Sequence, residues 1–144
     1  MTRVLATAVL SVLLIGCQSS TDPGKVAGYY VLTAVDSLEV PHLVAATNTC
    51  DELVLRGVLH LSDNGSFDLS VTQVQDCARA AVDTFSTTTS GTFSVDRTRL
   101  ILHPAGTGIQ LTGTTTGGAV DLQLPQLPLL GAGSHSGTFI IFPQ

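Results

Sequence analysis

The chain contains no tryptophan, no methionine beyond Met1, and one lysine, Lys25. Lysine and arginine together number 6 against 11 acidic residues, for a formal net charge of −5. Such a chain lacks the basic footprint on which nucleic-acid binding depends. It also lacks the means for electrostatic adhesion to anionic lipid head groups. No window sustains a helical hydrophobic period, which excludes a helical bundle. The best helix candidate, Cys77 to Val82, amounts to one or two turns. Cysteine is scarce: Cys17, Cys50 and Cys77 are all there are. No CxxC occurs, and no histidine lies within five residues of Cys50 or Cys77, so a zinc site there has little to build on.

What is present begins with an address. Arg3 is the only charge before Asp22, and Val4 to Ile15 is almost wholly apolar. A positive start, a short apolar stretch and a small residue before the cut describe a secretory signal peptide. The stretch is shorter than the roughly 20 apolar residues of a transmembrane helix. Leu14-Ile15-Gly16-Cys17 then resembles the bacterial lipobox. The resemblance implies a diacylglycerol on the Cys17 thiol, cleavage before Cys17, and acylation of the new amine, palmitate being a typical chain. An ordinary signal peptide with a chance cysteine is the alternative. Gln18 is not aspartate, which by analogy with enteric bacteria favours the outer membrane, facing the periplasm. The organisation expected is a signal peptide over residues 1–16, a lipidated tether over 17–25, and one β domain over 26–144. Without Arg3 the mature part has five basic residues against eleven acidic ones, so acyl chains alone are expected to hold it to the membrane. In that oxidising compartment Cys50 and Cys77 form an even pair, and a disulfide is the default.

From Val26 onward the pattern is that of short strands broken by Gly, Pro, Asn and Asp. Nine are expected: Gly28 to Val35, Val40 to Ala45, Leu53 to Ser62, Ser66 to Val74, Phe85 to Val95, Arg99 to His103, Gly108 to Thr115, Ala119 to Leu124 and Gly137 to Phe142. Pro41 marks the second as an edge or a bulge. Gly91 offers a place for the fifth to bend. The Asp63-Asn64-Gly65 hairpin has a register fixed by parity. Leu53, Leu55, Leu59 and Leu61 are odd, as are Phe67, Leu69 and Val71. A three-residue loop sets Leu61 opposite Phe67 and Leu59 opposite Leu69, keeping one apolar face. In that register Cys50 and Cys77 miss each other by one step. One extra residue in either strand repairs this, and the phase change between Val71 and Val74 places the bulge there.

Sequential hairpins point to an all-β antiparallel meander, an up-and-down barrel of eight or nine strands. A resemblance agrees. Val26-Ala27-Gly28-Tyr29-Tyr30-Val31-Leu32, Leu59 to Phe67, Ser90 to Val95 and Gly137 to Phe142 resemble the strand and turn motifs of lipocalin-like domains in small bacterial lipoproteins. Tyr30 stands where that family has tryptophan, and the C-terminal helix of true lipocalins is missing. The resemblance implies a barrel whose mouth holds a small apolar or amphipathic ligand. A filled barrel acting as a structural or protein-interaction module of the envelope is the alternative.

The sequence offers no catalytic constellation, so no enzyme and no cofactor is expected. His42, His60, His103 and His135 show no ligand spacing, and no metal site is expected. Gly133-Ser134-His135-Ser136-Gly137 has the outline of a hydrolase elbow with histidine in the nucleophile slot, and reads as a loop. Asp51, Glu52, Asp76 and Asp83 gather around the cysteines and read as a solvated rim, a weak calcium site being the alternative. The apolar loop Pro125 to Leu130, entered from Leu124, reads as packing on the barrel's open end, a lid or a partner contact.

Overall fold

The computed structural model describes residues 22–46, 49–78, 82–124 and 134–142. A 3-10 turn, Pro23–Lys25, precedes ten strands. These are β1 (Gly28–Val35), β2 (Leu38–Glu39), β3 (His42–Ala46), β4 (Cys50–Leu61) and β5 (Ser66–Cys77), then β6 (Asp83–Asp96), β7 (Arg99–Pro104), β8 (Leu111–Thr116), β9 (Ala119–Gln123) and β10 (Ser136–Ile141). β4 to β10 form an unbroken antiparallel meander, and β1 closes it by pairing with β10 on one side and β4 on the other. Eight strands thus make a closed barrel, with β2 and β3 added to β1 and β4. The sequence pattern missed β2. It exists because Asp36 and Ser37 both take positive φ, 50° and 69°, and fold Leu38 and Glu39 straight back onto β1. After a cis Val40–Pro41 bond, β3 begins at His42 and is an edge strand. β8 starts at Leu111 rather than Gly108. Cys77 ends β5 and Ala78 is a turn; residues 79–81 of the helix candidate lie outside the described residues.

The β4–β5 hairpin has the register that parity demanded: Leu61 faces Phe67 and Leu59 faces Leu69. Gly65 has φ +82°, and Asn64 Oδ1 accepts hydrogen bonds from the Ser66 amide at 2.9 Å and its hydroxyl at 2.7 Å. A β-carbon at Gly65 would meet only the Phe93 carbonyl at 3.8 Å, so the cost of substitution is conformational rather than steric crowding. Gly65→Val is expected to lose about 1–2 kcal/mol, while Asn64→Asp, which keeps the accepting oxygen, stays close to wild type. Thermal melts of the three proteins check this; equal midpoints would contradict the left-handed turn. Gly91 has a different duty. β6 runs unbroken through it, and a β-carbon there would run into the His103 carbonyl of β7.

Further along the hairpin the register shifts, and the bulge is not where the apolar phase placed it. It lies in β4, where Leu55 is the extra residue between the pairs Val54–Gln73 and Arg56–Thr72. β5 keeps one phase, with Phe67, Leu69, Val71 and Gln73 all turned inward and buried. In β4 the inward set changes from Gly57, Leu59 and Leu61 to Glu52 and Val54. Leu53, grouped with the odd leucines by its number, leaves the core face and is half-buried. A bulge adds a residue without adding a partner, so every side chain beyond it changes face.

Among the described residues eighteen buried apolar side chains fill the barrel, from Tyr30 and Leu32 on β1 to Leu122, Leu124 and Phe139 beside the closing strands. Most of the outer wall is Ser, Thr and Asp, as in Asp68, Thr88, Ser90 and Ser94. An apolar inside and polar outside is the reverse of a transmembrane β-barrel. Among the described residues no helix is long and apolar enough to cross a membrane. The two ends differ. One carries the tight turns at 62–65, 97–98 and 117–118 together with the start of β1. The other, the loop end, carries the longer connection at 105–110, the end of β1 and the starts of β4, β6 and β10.

Candidate functional site

At the loop end β4 and β5 run on past β1, and β3 lines β4 there. Three facing pairs descend the inner wall: Cys50–Cys77, Glu52–Gln75 and Val54–Gln73. The first is a disulfide with Cα atoms 4.0 Å apart. The Ala78 amide donates to the Thr49 carbonyl at 2.9 Å, which makes Cys50–Cys77 a non-hydrogen-bonded pair. Such pairs are the close ones of an antiparallel ladder, approaching to about 4.5 Å, and the ladder position sets the cysteines at the short end of disulfide geometry. The disulfide thereby ties together the two strands that carry Glu52 and Gln73.

Glu52 is 6% exposed and Gln73 is 1% exposed. Glu52 Oε2, Gln73 Oε1 and Gln73 Nε2 are buried with no hydrogen-bond partner among the described residues. The two residues are diagonal neighbours on one face, about 7–8 Å apart by strand geometry. The wall around them carries Ala45 opposite Glu52, His42 opposite Val54, and Phe85 opposite Gln73. Burial pushes the Glu52 carboxyl above the ordinary glutamate range. Buried polar groups are paired in the great majority of cases, and one left unpaired costs about 1–3 kcal/mol. Two adjacent side chains with three unpaired atoms are therefore a feature that packing alone does not favour.

The acidic cluster divides accordingly. Asp51, Asp76 and Asp83 are exposed, as a solvated rim would be; Glu52 is not, because the bulge at Leu55 turns it inward. No group of three or more metal-ligating side chains occurs among the described residues. The histidines are scattered. His42 shares the inner face, His60 stacks on Tyr29 outside the barrel with ring centroids 4.0 Å apart, and His103 is exposed on β7.

His135 closes a different contact. Its Nδ1 lies 2.6 Å from Asp36 Oδ2, and the Ser136 amide donates to Asp36 Oδ1 at 2.9 Å. The glycine-flanked segment therefore meets an acid at the β1–β2 turn, and Ser136–Gly137 opens β10. Partial burial pushes the Asp36 carboxyl up, but hydrogen bonds from His135 and Ser136 and the charge of the ring outweigh this and hold it below the usual carboxylate range. A carboxyl lowered by folding contributes stability above its unfolded pKa, and loses that contribution as pH falls through the folded value. Asp36→Asn is expected to lower stability at neutral pH by less than about 1 kcal/mol, since the pair is half-exposed. The deficit should vanish in acid, where both proteins carry a neutral group. Melts across pH 3 to 7 check this; a deficit unchanged at the acid end would contradict it.

Cys17 and the apolar loop Pro125 to Leu130 lie outside the described residues, while Leu124 is buried in the core and its amide donates to the His135 carbonyl. Comparison with known protein families, curated proteins and solved structures finds no match to this chain.

Proposed function

We propose that this is a lipid-anchored protein of the bacterial envelope whose barrel binds a small amphipathic molecule at the loop end, head group against Glu52 and Gln73. The unpaired, buried oxygens and amide of those two residues carry the reading. Both oxygens are acceptors, and an amine or amino-alcohol head supplies the donors. Its alkyl tail would lie against Val44 and Phe85 on the flanking strands. The closed eight-strand meander supports a lipocalin-like assignment. The lipobox resemblance of Leu14 to Cys17 supports the anchor.

The eighteen buried apolar side chains favour a second reading, a filled barrel that serves the envelope through its surface. Thermal shift with octylamine and octanoate separates the two. Octylamine is expected to raise the wild-type midpoint, octanoate to leave it unchanged, and Gln73→Leu to abolish the response. A wild type indifferent to octylamine would favour the filled barrel. The anchor has its own test. Cys17→Ala is expected to abolish acylation and leave the protein uncleaved or soluble. An unacylated N-terminus on the wild type, read by mass spectrometry, would remove that part of the proposal.

A further inference from the structure

One sector of the outer wall breaks the polar rule. Two rows of side chains cross β10, β1 and β4 at the tight-turn end. The first runs Phe142, Tyr29, His60, the Phe142 amide donating to the Tyr29 carbonyl at 2.7 Å and Tyr29 facing His60. The second runs Ala119, Ile140, Val31, Val58, each facing the next. Phe142 is 62% exposed, and Tyr29, Val31, Val58 and Ile140 are all exposed as well. Towards the loop end the wall turns polar: Thr138 donates to Asp121 at 2.7 Å, its carbonyl accepts from Thr33, and Arg56 reaches Thr72.

We propose that this patch lies against the lipid surface to which the chain is anchored. The proposal rests on acylation of Cys17. The reach of the chain selects this occupant. Only five residue steps separate Cys17 from Asp22, so the acyl group is at most about 18 Å from Asp22, and β1 begins six residues later. The tight-turn end, with the patch on its rim, is the part of the barrel held nearest the bilayer. Tyrosine and phenylalanine at an exposed apolar rim suit the membrane–water interface. Lys25 is the chain's one lysine and the net charge is negative, so apolar insertion rather than attraction to anionic head groups drives the contact.

The absence of tryptophan makes the test clean, because one introduced tryptophan reports alone. Full-length protein carrying Phe142→Trp, and separately Ser94→Trp on the exposed face of β6, is reconstituted in phosphatidylcholine vesicles with or without acyl-brominated lipid. The Phe142→Trp emission is expected to shift to shorter wavelength and lose intensity to the brominated lipid, insensitively to salt. The Ser94→Trp emission should do neither. Adding Val31→Asp should restore the Phe142→Trp emission while the protein stays on the vesicles and keeps its melting temperature. No quenching at Phe142→Trp, or equal quenching at both positions, overturns the proposal. So does a shift without quenching that grows with protein density, which would mean that a second copy covers the patch. Mass of the N-terminal peptide from the same sample reads acylation separately. Quenching on an unacylated chain keeps the docking surface and removes the anchor.

Discussion

The double variant Cys50→Ser/Cys77→Ser is expected to lose about 3–4 kcal/mol of stability, the largest effect of any substitution considered. The figure comes from the sequence separation of 27 between the two cysteines: a cross-link over that separation removes loop-closure entropy from the unfolded chain. For a domain with a total stability of about 5–15 kcal/mol this is a large share. The loss should concentrate at the loop end, where β4 and β5 extend beyond β1 and lack its support on that side. Amide exchange should therefore quicken most in residues 50–54 and 73–77, and little in the tight hairpin at 61–67. Chemical denaturation of both proteins without reductant measures the total, and a thiol count on the wild type should find no free thiol from Cys50 or Cys77. A double variant as stable as wild type would show that the cross-link is structurally idle.

The second large effect has the opposite sign. Gln73→Leu is expected to stabilise the protein by about 1–3 kcal/mol, because it replaces a buried amide that has no partner with an apolar side chain of similar size. Glu52→Gln should also stabilise, and its pH dependence identifies the cause. A carboxyl whose pKa is raised by folding contributes stability while it is protonated, below its unfolded pKa of about 4.3, and loses it as pH rises through the folded value. The gain of Glu52→Gln over wild type should therefore be largest near neutrality and shrink towards pH 4. Stabilising substitutions that abolish binding are the expected signature of a site kept at the expense of packing. Destabilisation by Gln73→Leu would mean that the amide has a structural role.

Much of this was legible in the chain itself. The meander and the hairpin register at Leu61–Phe67 followed from alternation, turn residues and parity, which act over a few neighbours, and the disulfide followed from the even cysteine pair expected in an oxidising compartment. Gln73 was not, because the phase change between Val71 and Val74 placed the bulge in its own strand, whereas β5 keeps one phase through Phe67, Leu69, Val71 and Gln73. Nor was Glu52. Its side chain faces inward only because the bulge sits at Leu55, and β4 shows an apolar residue at 53, 54 and 55 alike, so its pattern tolerates either phase. The mismatch between Cys50 and Cys77 announced that a bulge existed without saying which strand held it. The outer patch was hidden for another reason: its residues belong to strands far apart in sequence, and only closure of β1 between β10 and β4 brings them together.

The site itself can be observed through one side chain. In a nitrogen-15 spectrum the Gln73 side-chain NH₂ gives a resolved pair of signals, assignable as the pair lost in Gln73→Leu. Titration of the wild-type protein with octylamine is expected to move that pair saturably, with the backbone amides of Glu52 and Val54 moving alongside and those of the 62–65 hairpin unchanged. Octanoate should leave all of them in place. A Gln73 signal indifferent to octylamine, or one that moves equally with octanoate, would contradict a donor-bearing ligand held by Glu52 and Gln73.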